Sequence, residues 1–173
     1  EVYALQEGDK LIGHLYTDLH ARSGKQSGAW VANERTRHLH GDELITPVVY
    51  LTCNFTPPQN GKASLLRLDD VITLFHEMGH ALHALLSKVD DPSASPFSSV
   101  EWDAIELPSQ FMENFCYAWP VMQKLSRHHE TGEVLPHDLF DKIVAAKNFQ
   151  TGMQTVRQLE FSLFDMLLHQ QVK

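Results

Sequence analysis

Two histidines four residues apart, with a glutamate beside the first, are the residues of this sequence best suited to chemistry: His76-Glu77-Met78-Gly79-His80. On an α-helix, positions four apart differ by about 40° around the axis and by one turn along it, so both imidazoles can reach a single metal ion. Glu77 projects beside them. It is displaced from where a third ligand would stand but well placed to touch a water held by the ion, which is the position of a general base. For this composition a His-Glu-x-x-His pattern arises by chance in about 0.04 cases, so the bare pattern also fits a polar helix face with solvated histidines. Its weight comes from the helix that carries it.

A catalytic zinc needs a third protein ligand and one open position. His83 shares a face with His76, but seven residues separate them by about 10.5 Å along the axis, too far for one ion. It reads as a structural histidine or as a support for the ligands. A metzincin extension would need glycine at position 83 and histidine at position 86, where His83 and Leu86 stand. No histidine lies between His83 and His128, so the third ligand is expected to be a carboxylate from the next helix. Asp103, Glu106 and Glu113 are the candidates, with Glu101 assigned to a helix cap. Glu106 is preferred, because the 26 residues after His80 allow the first helix to end, the linker to turn and a second helix to return antiparallel. Asp103, Gln110 and Glu113 are spaced at helical intervals from Glu106 and form a polar stripe on an otherwise apolar segment. Either Asp103 or Glu113 could hydrogen-bond the far ring nitrogen of a ligand histidine and fix its tautomer.

These side chains must be held by recognisable elements. Val71, Leu74, Phe75, Met78, Leu82, Leu85 and Leu86 recur at intervals of three and four, predicting a helix from Asp69 to about Lys88. Ahead of it, Glu1–Leu5 and Leu11–Leu19 flank a Glu7-Gly8-Asp9 turn and read as a hairpin. Val48–Phe55, rich in Val, Tyr and Thr, reads as a third strand, and the polar stretch Arg22–Thr46 as a long surface loop. After the turn-rich Asp90–Pro96, Ser98 and Glu101 resemble a capping box that opens a second helix toward Phe115, with Pro108 starting or kinking it. Further helices are expected over Val121–His129, Pro136–Gln150 and Gln154–Val172, broken at Thr131-Gly132 and Thr151-Gly152. The class is α+β, with a small N-terminal antiparallel sheet over about 1–56 and a helical body over about 69–173 of a single domain.

Composition narrows the function. Lys and Arg number 14 against 22 Asp and Glu, a net charge of −8, and there is no run of five basic residues. Nucleic acid and anionic membranes are therefore poor partners. The longest apolar runs fall short of the roughly 18 residues of a membrane span, and no signal-peptide pattern opens the chain, so it reads as soluble and intracellular. Cys53 and Cys116, far apart in apolar surroundings, read as buried thiols. The start at Glu1 without methionine, and a helical stretch running up to Lys173 with no stop signal, suggest part of a longer protein.

Phe75 to His83 as Phe-His-Glu-Met-Gly-His-Ala-Leu-His, followed by Glu101 to Phe115 as Glu-Trp-Asp-Ala-Ile-Glu-Leu-Pro-Ser-Gln-Phe-Met-Glu-Asn-Phe, resembles the thimet oligopeptidase family of zinc metallopeptidases. Gly13–Arg22, Gly28-Ala29-Trp30, Cys53-Asn54-Phe55, Ala145–Asn148 and Arg157–Phe161 extend the resemblance along the chain. It implies one zinc held by His76, His80 and Glu106, Glu77 as catalytic base, and a zincin-like, mainly helical catalytic core. It also implies a cytosolic enzyme that cleaves short peptides, of which this chain is the zinc-carrying part. Met78 stands where phenylalanine is common, an exchange between apolar residues of small consequence. The family's downstream histidine and Gly-Tyr-rich segment, thought to bind substrate and the oxyanion, have no match before Lys173.

The expected reaction is zinc-assisted peptide hydrolysis, with the ion polarising the carbonyl and acidifying its water while Glu77 moves the proton. The remainder of the parent catalytic domain and short peptides are the expected partners. Val48–Phe55 is expected to offer an edge to which an extended peptide adds by main-chain hydrogen bonds. Two other readings belong to different classes: a non-catalytic zinc-binding module with a closed four-ligand site, and a helical interaction domain whose polar stripe faces solvent. His38, His40, His128 and His129 lie in polar stretches and read as surface residues.

Overall fold

The computed structural model describes residues 1–170, which divide into two compact units, 1–125 and from 126 onward. The first unit opens with a hairpin of β1, Val2–Glu7, and β2, Lys10–His20, around Gly8 at φ 60°. That left-handed backbone is one glycine adopts without steric cost. Then come β3, Trp30–Arg35, a small separate hairpin of β4, His38–His40, and β5, Glu43–Ile45, and finally β6, Val48–Phe55. The main sheet has the order β1-β2-β6-β3.

Three expectations about this sheet are corrected. It is mixed, not antiparallel, because β6 runs parallel to β2, with His14 opposite Val48, while β3 runs antiparallel to β6. The chain between β2 and β6 is long enough to carry it back to the same end, which a parallel pair requires. Arg22–Thr46 is not simply a loop but contains three strands. β3 lies at the sheet edge, where Asn33, Glu34 and Arg35 need not be buried, and this obscures the apolar alternation a sequence would reveal. Lastly, β6 is paired on both sides and has no free edge for a peptide.

Residues Val49, Leu51, Cys53 and Phe55 of β6 alternate inward and are nearly or fully buried, forming one core with Leu15 of β2. Over them lies α1, Leu68–Leu86, which contributes Ala81, Ala84 and Leu85 to the same core. Its first turn is capped by Asp70, whose carboxylate accepts the Arg67 backbone N–H at 2.9 Å. Close approach at one point depends on Gly13: a Cβ there would stand 2.8 Å from the Pro47 carbonyl oxygen and 2.9 Å from Leu85 Cδ2. Leu86, part of the apolar spacing, is exposed.

The second helix also departs from expectation. Ser98 opens no helix; its hydroxyl meets that of Ser95 at 2.7 Å, and the following residues form turns. Serine side chains here bond locally and compete with helix formation. The helix α2 is Leu107–Glu113, started by Pro108 in its first turn. A 3-10 turn, Asn114–Tyr117, and α3, Trp119–Leu125, complete this unit. Cys53 and Cys116 are buried and unbridged, and burial pushes both thiols up to about 11.

The second unit contains α4, His137–Lys147, and α5, Thr151–Gln170. Gly132 occupies the expected turn at φ 73°. The turn before α5 falls at 148–150, with Gln150 at φ 54°, and Thr151 starts the helix where a break at Thr151-Gly152 was expected. Val172, the expected end of that helix, lies outside the described residues. The architecture is α+β. Among the described residues no helix is long and apolar enough to cross a membrane.

Candidate metal centre

α1 brings His76 and His80 to one side, with ring centroids 5.1 Å apart. α2 meets α1 at Gly79. A Cβ on Gly79 would lie 2.4 Å from the Pro108 carbonyl oxygen and 2.6 Å from Ser109 Cα, so only glycine lets the two backbones approach this closely. Glycine inside a helix normally costs about 1 kcal/mol relative to alanine, and here the close crossing explains it. Gly79→Ala is therefore expected to reverse the usual sign and destabilise the protein by about 1–3 kcal/mol, since backbone, not a flexible side chain, must move. Denaturant unfolding of the variant checks this; an alanine that stabilises would mean that the crossing is loose.

The crossing places Glu106, at the N-cap of α2, against both histidines. Its Oε2 lies 3.2 Å from His76 Nε2 and 3.1 Å from His80 Nε2. One ligand atom from each of His76, His80 and Glu106 falls within 4.8 Å of the others. On the far side of His76, Nδ1 meets Glu113 Oε1 at 2.7 Å. Glu113 is thus the carboxylate that reaches His76, while Asp103 lies exposed in the turns before α2, outside the helical stripe expected for it. Glu101 is likewise exposed and caps no helix.

The electrostatics of the cluster suit a cation. If the Nδ1–H of a neutral His76 donates to Glu113, its Nε2 is left as an acceptor facing the Glu106 carboxylate. His80 is held below the usual histidine range chiefly by burial, which favours its neutral form against the opposing pull of Glu106. Glu106 is held below the usual carboxylate range, first by the hydrogen bond from Ser109 and then by the two histidines. Acceptors facing one another at about 3 Å repel unless a cation or a proton lies between them. Two imidazoles and one carboxylate are a donor set suited to zinc with an open position.

Glu77 is 6% exposed, and burial, reinforced by Glu106 and opposed by His76, raises its pKa above the usual carboxylate value. His83 lines an apolar cavity of about 390 Å³ with Gly79, Leu82, Leu86, Pro108 and Phe111, and is absent from the three-ligand cluster. Sequence reasoning overlooked two residues here, Gly79 as the crossing point and Ser109. Only an unexplained glycine inside a strongly periodic helix signalled the first.

The sequence pattern of Peptidase family M3 matches residues 1–173. Oligopeptidase A of Escherichia coli (strain K12) is 50% identical over 165 residues, covering 94% of this chain and 24% of that protein. Organellar oligopeptidase A, chloroplastic/mitochondrial, of Arabidopsis thaliana is 42% identical over 163 residues, 91% of this chain and 21% of its own length. Saccharolysin of Saccharomyces cerevisiae is 34% identical over 166 residues, with coverages of 91% and 22%. The chain spans about a quarter of the length of the curated relatives it matches.

Proposed function

The chain belongs to peptidase family M3, and from that premise we propose that it is the zinc-carrying part of a metalloendopeptidase acting on short oligopeptides. The observation that carries this reading is the convergence of His76, His80 and Glu106 within 4.8 Å, next in sequence to the buried Glu77. In this reading His76, His80 and Glu106 hold one zinc, which when bound supplies Lewis acidity toward a carbonyl oxygen and a water. Glu77 accepts the proton of the attacking water on a carboxylate oxygen and returns it to the leaving amine nitrogen. Its burial favours the first of these steps, because a carboxylate with a raised pKa is a stronger base. Glu113 holds the His76 ring through Nδ1, leaving Nε2 free to bind. Groups that grip the peptide and the developing oxyanion come from the rest of a larger catalytic domain. The proposed setting is the cytoplasm, the compartment that the family resemblance implies.

A non-catalytic zinc module would close its site with a fourth ligand, whereas the cluster among the described residues has three. A helical interaction domain would leave Glu106 and Glu113 to solvent, whereas both reach imidazoles. Stripping the complete protein with a chelator is expected to abolish oligopeptide hydrolysis, and stoichiometric zinc to restore it. Hydrolysis that survives verified metal removal sinks the proposal.

A further inference from the structure

Glu106 occupies an exposed N-cap with its side chain about half accessible, a poor position from which to hold a ligand still. Glutamate has three rotatable side-chain bonds, and the neighbouring imidazoles cannot orient its carboxylate once they are occupied with an ion. One further group is built against it. Ser109 is fully buried, and its hydroxyl stands 2.7 Å from Glu106 Oε2 and 2.9 Å from the Glu106 carbonyl oxygen. The single hydroxyl proton has two acceptors, and the shorter, charge-assisted contact is to the carboxylate. Oε2 is also the oxygen that faces both His76 and His80. A carboxylate oxygen has a second lone pair, so it can accept from Ser109 and still bind an ion. Ser109 is itself fixed, because its Cα lies beside Gly79 at the tightest point of the α1–α2 crossing.

We propose that Ser109 is a positioning residue, whose hydroxyl holds the Glu106 carboxylate aimed at the two histidines and so prepares the metal site. This rests on the peptidase reading for the presence of a metal, and goes beyond it in naming what orients the third ligand. The crossing that Gly79 permits and the hydroxyl of Ser109 then act together: one sets where α2 sits, the other where its N-cap carboxylate points.

The test is a double-mutant cycle on the complete, metal-stripped protein, with zinc affinity read against a competing chelator. Ser109→Ala is expected to weaken zinc by roughly 10–100-fold, the usual effect of removing a hydrogen-bond partner of a metal ligand. In a Glu106→Ala background the same change is expected to do nothing further, because the group it acts through is gone. The visible spectrum of the Co²⁺-substituted protein should shift with Ser109→Ala alone and stay unchanged when Ser109→Ala is added to Glu106→Ala. An equal loss of affinity in both backgrounds would mean that Ser109 merely supports the fold, overturning the inference. Unchanged affinity in Ser109→Ala, beside a large loss in Glu106→Ala, would overturn it while leaving the peptidase reading intact. A Glu106→Ala variant that binds zinc normally would overturn the inference and exclude Glu106 as a ligand.

Discussion

Replacing Glu77 with Gln is expected to leave zinc bound and to lower oligopeptide hydrolysis by the complete enzyme by roughly 10²–10⁴-fold, the usual worth of a general base. The exchange keeps the size and shape of the side chain while removing its charge and its capacity to take a proton. Because Glu77 is buried and burial already disfavours its charge, a neutral amide should fit without unfolding the site. Metal content and turnover must be measured on the same preparation. Near-normal turnover with zinc bound removes Glu77 from the base role, whereas lost turnover with lost zinc would mean that the substitution disturbed the ligands on either side of it.

Glu106→Ala acts on the ion instead of the proton. It removes one of the three proposed ligands, so the loss of zinc affinity should exceed the ~10–100-fold cost of losing only a ligand's hydrogen-bond partner. One tight zinc in the unsubstituted protein, weakened in this way, is the expected result of competition against a chelator of known strength. Equal affinity in the two proteins would exclude Glu106 as a ligand. Half of its side-chain surface is exposed, so the truncation leaves no large cavity, and the readout reports on the site more than on stability.

The strand β6 was legible from its β-favouring Val, Tyr and Thr between prolines, and the helix α1 from its period. Val49, Leu51, Cys53 and Phe55 alternate, while Leu74, Met78, Ala81 and Leu85 recur by threes and fours. The turn at Gly8 was legible for the same local reason. What escaped detection lacked such a signal: β3, an edge strand, ends in the polar Asn33-Glu34-Arg35, and the turns of 98–106 imitate a capping box with Ser98 and Glu101. In the second unit the α4–α5 turn was placed on Thr151-Gly152 by composition, yet the left-handed residue is Gln150.

The relation among His76, Glu77 and His80 follows from helix geometry over five residues, so the sequence by itself determined the two imidazoles and the carboxylate beside them. Everything that joins α1 to another segment depended on the path of the intervening chain. Tertiary structure decided that Glu113, and not Asp103, reaches His76, that β6 lies inside the sheet, and that α2 crosses α1 at Gly79. The physical reason is range: a helix repeats its geometry at every turn, whereas a contact across about thirty residues is set by where two backbones can approach, here at Gly79 against Pro108 and Ser109.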